Sequence, residues 1–181
     1  MVLKNTLLIL FSLVVWAVNA QQFTTIGIEF QQYPTGTLSG ITASAGWTDH
    51  HLFSVRLGYN ALDHQDFGVH DDEKGGGFGG SIGYSYHFSS NYSKWMLGAR
   101  TDLWFNEVDW QDNMGTNLLE GTSKVTVLQP TAMIGYVFRI KENFILTPTL
   151  AFGAEINIIT KGEPVGEGAI LLWGLQANYQ L

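Results

Sequence analysis

The chain has 181 residues, no cysteine, and 16 acidic against 9 basic side chains, a net charge of −7. Without thiols it has neither disulfides nor thiolate metal sites, and its negative balance argues against nucleic acid as a partner, because phosphate binding wants a basic surface. Only 14% of its residues are charged, well below the usual quarter, so either its exterior is unusually apolar or little of it is wet.

Residues 1–20 read as a secretory signal peptide. Lys4 precedes an apolar run from Leu7 to Val18, and Val18-Asn19-Ala20 supplies a small-residue boundary. The run is shorter than the roughly 18–20 apolar residues that a membrane-spanning helix needs. Cleavage after Ala20 leaves 21–181 as one domain, with no further long apolar run.

From residue 22 onward the dominant period is two, the period of a strand. The first segment sets Ile26, Ile28 and Phe30 against Gly27, Glu29 and Gln31. The second, 37–47, alternates weakly. The third sets Phe53, Val55, Leu57 and Tyr59 against Ser54, Arg56 and Asn60. The fourth sets Phe78, Ile82, Tyr84 and Tyr86 against Gly79, Ser81, Ser85 and His87. In the fifth, Trp95, Leu97 and Leu103 oppose Arg100, Asp102 and Trp104. The sixth opposes Ile134, Tyr136 and Phe138 to Gln129, Thr131 and Arg139. The seventh opposes Leu150, Phe152 and Ile156 to Thr149, Gly153 and Glu155, and the eighth Leu171, Trp173 and Leu175 to Gly174 and Gln176. Pro130 and Pro148 each remove a ladder donor and are expected at bulges.

One face carries bulky apolar side chains and the other mostly small or polar ones. Eight strands enclose a bore just wide enough for side chains, so the bulky face overfills the inside and must point out, toward lipid. This is the pattern of an all-β, eight-stranded antiparallel up-and-down transmembrane barrel. The connections agree. Short ones lie near 48–50, 89–92 and 140–143, and longer loops at 62–76, 107–121 and 159–168, as expected for turns on one side of a membrane and loops on the other. Aromatic residues near strand ends (Trp47, Phe88, Tyr92, Trp95, Trp110, Phe138 and Phe144) suit interfacial girdles.

With its leader, its eight alternating segments and its final AILLWGLQANYQL, the chain resembles a small bacterial outer-membrane barrel of the OmpA/OmpX type. The last segment is similar to the C-terminal signal that such proteins present to the barrel-assembly machinery, although it ends in leucine where phenylalanine is usual. The resemblance implies an outer-membrane location, contact with lipid and lipopolysaccharide, and assembly by that machinery.

Two groups of residues are candidates for function. On the lumen side lie Glu29, Arg56, Arg100, Asp102, Arg139 and Glu155. Charges in a narrow bore must be paired or hydrated, so Arg56 and Arg100 are expected to bridge to Glu29, Asp102 or Glu155, as a polar plug rather than a gated conduit. The second group is the stretch 63–77, DHQDFGVHDDEKGGG, with His64, Asp66, His70, Asp71, Asp72 and Glu73. These are ligand types for a divalent cation, with Asp109 and Asp112 of the next loop in a position to approach them. The spacing matches no calcium loop or zinc motif, and a solvated acidic loop is the simpler expectation. No resident cofactor is expected.

Gly75–Gly80 satisfies GxGxxG, but a strand rather than a helix follows. Asn91-Tyr92-Ser93 is a sequon without meaning in a periplasmic turn. Three functions compete: a non-enzymatic envelope-structural or surface-interaction barrel acting through acidic outer loops, an outer-membrane enzyme acting on lipid A or peptides, and a soluble lipocalin-like barrel. A catalytic histidine needs an orienting carboxylate and a nucleophile or positioned water; the acidic loop offers only His and Asp, and no catalytic residue is assigned.

Overall fold

The computed structural model describes residues 23–65, 68–114 and 117–181. The leader 1–20 and Asp66 lie outside the described residues. Eight strands follow in chain order: β1 (Thr24–Tyr33), β2 (Gly36–Gly46), β3 (His51–Gln65), β4 (Asp72–His87), β5 (Lys94–Met114), β6 (Asn117–Arg139), β7 (Phe144–Lys161) and β8 (Gly168–Gln180). Each pairs antiparallel with its sequence neighbours, and β1 pairs back onto β8, from Thr25 opposite Gln180 to Gln32 opposite Trp173. The sheet therefore closes into an up-and-down barrel, and closure removes both sheet edges.

The period-two pattern decides which way each side chain points. Phe78 is 76% exposed and Ile82 70%, and Ile28, Phe53, Leu57, Phe105, Phe152 and Trp173 are exposed around the same wall. The alternate positions are buried. An apolar exterior of this extent is far beyond the patches a water-soluble monomer carries, and it fits a hydrocarbon environment.

The strands are longer than the alternation alone indicates. The stretches 62–65 and 72–76, expected as loop, are strand, and so are 107–114 and 117–121. Here β3–β4 and β5–β6 run on as hairpins past the apolar belt. There the outward face meets water and carries polar side chains, so the apolar-out pattern stops although inward residues such as Leu62, Glu73 and Val108 stay buried, and exposed polar pairs such as Lys74–Asp63 and Lys124–Glu107 bridge the strands. At 21 residues β5 spans about 70 Å along its axis, about twice the 10-residue β1. The barrel thus has a turn rim (47–50, 88–93 and 140–143) and a hairpin rim, which includes 34–35, 68–71 and 162–167.

The ladder between β6 and β7 is the irregular one. Its register shifts between Thr126 and Val127, and its pairing skips Gln129–Pro130 and Tyr136–Val137 on β6 and Thr147–Pro148 on β7. Pairing on the other side of each proline is continuous, Pro130 with Thr101 and Pro148 with Leu175. Both prolines thus sit at breaks of a single seam, where a missing donor interrupts least.

The lumen is layered. Apolar side chains fill it near the turn rim (Phe23, Tyr92, Met96, Met133, Val137 and Ile145) and toward the hairpin rim (Leu38, Leu62, Val108, Val125, Val127 and Ile170), with charged groups between. Two residues expected in the outer aromatic girdles turn inward instead. Tyr92 is buried, stacks on Phe23 at 4.3 Å and donates its hydroxyl to the Thr48 carbonyl. Trp110 is partly buried and packs on His70 at 4.1 Å.

Candidate functional site

Three strands bring four charges to the middle of the bore. Glu29 comes from β1, Arg56 from β3, and Arg100 and Asp102 from β5, all buried. Arg56 donates Nη1 to Glu29 Oε2 at 3.0 Å and Nη2 to Asp102 Oδ1 at 2.7 Å. Arg100 donates Nη1 to Glu29 Oε1 at 2.9 Å, and its Nε lies 3.4 Å from Asp102 Oδ1. Gln31 Oε1 accepts from both guanidinium groups, and Gln176 Nε2 donates to Glu29 at 3.0 Å. The two positive and two negative charges cancel, and the carboxylates accept donors in the geometry that makes ion burial tolerable.

Above this cluster lies Trp104, fully buried, with the Arg56 guanidinium 5.3 Å from its ring and its Nε1 donating to Gln129 Oε1 at 2.8 Å. Gly79 makes room for it: a Cβ there would stand 2.5 Å from the Trp104 ring and 2.1 Å from the Leu103 carbonyl. The alternation put Trp104 on the lumen face, but only the register shows it as a lid on the ionic layer. Glu155 is not part of the cluster; it accepts from Gln129 Nε2 at 3.1 Å. Nor is Arg139, which sits at the turn rim, donating to Gln180 Oε1 at 2.8 Å and to the Asn91 carbonyl at 2.7 Å.

The acidic stretch is divided between buried and exposed roles. Glu73 is buried, and its carboxylate accepts the amides of Val69 at 2.8 Å, His70 at 3.1 Å and Gly166 at 3.1 Å. His64 Nε2 lies 3.3 Å from it. His70 stands apart from that pair. Its Nδ1 faces Asp112 Oδ2 at 2.8 Å and its Nε2 the Pro164 carbonyl at 3.0 Å. Both partners are acceptors, so a doubly protonated ring satisfies both contacts and a neutral ring only one. The hydrogen bond from His70, followed by one from the Asp71 amide, holds the Asp112 carboxyl below its usual range. Asp71 also accepts the Asn113 amide at 2.8 Å, while Asp72 pairs with Gln111 in the ladder. Among the described residues, no three His, Asp or Glu side chains converge in a metal-holding arrangement.

These contacts draw the 162–167 connection over the bore. Ser123 donates to the Glu163 carbonyl at 2.7 Å, Asn157 Nδ2 to the Val165 carbonyl at 3.0 Å, and Val165 is buried beneath. Gly162 turns the chain at φ +110°, a conformation suited to glycine. Under this strap lies a cavity of about 220 Å³, lined by His64, Glu73, Asn106, Glu155 and Asn157 among aliphatic side chains.

No protein-family model and no curated protein matches the chain. Solved structures do. Ail, the attachment invasion locus protein of Yersinia pestis, superposes with a TM-score of 0.51 at 9% identity, over 88% of this chain and 97% of that one. The fold is that of a small eight-stranded outer-membrane barrel. The N-terminal barrel domain of Pseudomonas aeruginosa OprF also superposes, with a TM-score of 0.48 at 17% identity, over 88% of this chain and 98% of that one.

Among the described residues of this outer-membrane-type barrel, a serine and a histidine meet in the lumen. Ser85 Oγ lies 3.1 Å from His87 Nε2, on neighbouring inward positions of β4. His87 Nδ1 has no partner, so the carboxylate that would orient a catalytic imidazole is missing. The pair faces a cavity of only about 50 Å³.

Proposed function

We propose that the protein is a sealed, non-enzymatic barrel of a bacterial outer membrane, exposing its hairpin rim to the outside in an envelope-structural or surface-interaction role. The observation that carries this reading is an apolar outer belt around a bore closed by the Glu29–Arg56–Asp102–Arg100 cluster. The belt supports contact with lipid and lipopolysaccharide. The acidic character is concentrated on one side: Asp63, Asp71, Glu107, Asp109, Glu120, Glu163 and Glu167 are exposed on the hairpin side. Any surface partner would meet the β5–β6 hairpin first, because it projects farthest. Ligation of a divalent cation by the exposed carboxylates remains part of this proposal, with Asp71 and Asp72 as its accessible members.

The test is to refold the chain with and without detergent micelles, following heat-dependent electrophoretic mobility, and to measure conductance in planar bilayers. The expected result is folding that requires detergent or lipid, with no ion conductance. A folded monomer in detergent-free buffer would sink the reading in favour of a soluble barrel. Steady conductance would remove the seal from it.

A further inference from the structure

The cavity beneath the 162–167 strap has a chemistry that the sealed-barrel reading leaves unused. Its wall is aliphatic, from Val108, Val127 and Ile170, and its polar side chains are mostly carboxylates and amides with one imidazole, without lysine or arginine. Glu155 is only 9% exposed, and among the described residues it has no ion-pair partner, only the amide of Gln129. Buried carboxylates without a cation are costly. Asn106 is 3% exposed with both side-chain polar atoms unpartnered, and His64 Nδ1 and Asn157 Oδ1 are unpartnered too. Such orphaned groups are rare in folded proteins and call for an explanation.

We infer that this cavity is a binding site for a small aliphatic amine free in solution. The ammonium group pairs with Glu155, the carbonyl oxygens of Asn106 and Asn157 accept its remaining N–H bonds, and the methylene chain lies against the valines. Size agrees: a cavity of about 150 Å³ accepts benzene, so about 220 Å³ takes a chain of four to five carbons with one or two ammonium ends. Anions are excluded by Glu73 and Glu155, and lipid headgroups by the intact barrel wall.

The test is calorimetric titration of the folded barrel in micelles with 1,4-diaminobutane, with 1,4-butanediol, succinate and magnesium chloride in parallel. The diamine is expected to saturate a single site. The diol, matched in shape but uncharged, binds about tenfold more weakly or worse, as loss of charge-assisted hydrogen bonds requires. Succinate does not bind, and magnesium does not displace the diamine. Glu155→Gln weakens the diamine about tenfold with the heat-dependent gel shift retained. Val127→Phe fills the cavity without changing its charge and abolishes binding, which keeps the test decisive should Glu155→Gln misfold. Absence of saturable binding, equal affinity for the diol, displacement by magnesium, or unchanged affinity in the variants would overturn the inference.

Discussion

Gly166 donates its amide to both carboxylate oxygens of Glu73, at 3.2 and 3.1 Å, across 93 residues of chain. One buried side chain of β4 thereby fixes the connection that closes the opposite side of the mouth. Glu73→Ala is expected to free that connection while leaving the barrel wall closed. Hydrogen bonds to a charged group contribute about 1.5–3 kcal/mol, so amide exchange at Val69, His70 and Gly166 should accelerate roughly ten- to hundredfold. Unchanged protection at Gly166 would show that other contacts hold the strap.

Acid should loosen the same rim. The Asp112 carboxyl is depressed below its ordinary value of 3.8 by the His70 hydrogen bond and the Asp71 amide. A carboxylate depressed in the folded state stabilises that state above its unfolded pKa, and the contribution is lost as pH falls through the folded value. The rim contacts should therefore persist at pH 5 and weaken below about pH 3.8, read by exchange at the Asp71 amide. Asp112→Asn should remove the acid-dependent step. A transition centred well above pH 5 in wild type would assign it to another group.

The ionic layer should behave as a unit. Removing Arg56 alone leaves Glu29 and Asp102 short of a partner in a buried layer, at about 3–5 kcal/mol. Replacing Glu29 and Arg56 together leaves Arg100 with Asp102, a neutral pair. Urea unfolding in micelles should show the double variant losing clearly less than the sum of the two singles. Strict additivity would mean that water, rather than the four charges themselves, carries the layer.

Position along the wall should decide the effect of a new charge. Ile82 is 70% exposed in the apolar belt, and Leu118 is 60% exposed on the β5–β6 hairpin above it. Ile82→Arg is expected to destabilise the barrel by about 2–4 kcal/mol in lipid vesicles, as a midplane arginine does. At Leu118 the same change should lie within about 0.5 kcal/mol of wild type, as for ordinary surface sites. Equal effects at the two positions would contradict a lipid belt on the lower wall.

Much of this was legible in the sequence for a simple physical reason. Where one face meets lipid and the other the lumen, period two is enforced, and it placed Ile28, Leu57 and Ile82 outside and Glu29, Arg56, Arg100 and Asp102 inside. Beyond the belt that constraint ends, so the upper halves of β5 and β6 read as a loop from 107 to 121. The role of Glu73 was hidden for a different reason. Its neighbours Asp71 and Asp72 make it look like one more solvated acid, and its partners include backbone amides, those of Val69, His70 and, near the other end of the chain, Gly166, which carry no side-chain signature. Tyr92 and Trp110 were misplaced because an aromatic at a strand end serves equally well as a girdle or as a plug.

The β6–β7 seam gives the wall a preferred line of parting. Lipid offers no competing hydrogen bonds, so rungs of a barrel ladder are not easily replaced, and among the described residues this ladder alone combines a register shift with a proline on either strand. A tube that is continuous everywhere else has one weak meridian. Pulled or heated, it should separate there into a six-strand sheet and the β7–β8 hairpin, and because β8 still holds β1, that hairpin would swing out like a door on the hinge of the first and last strands.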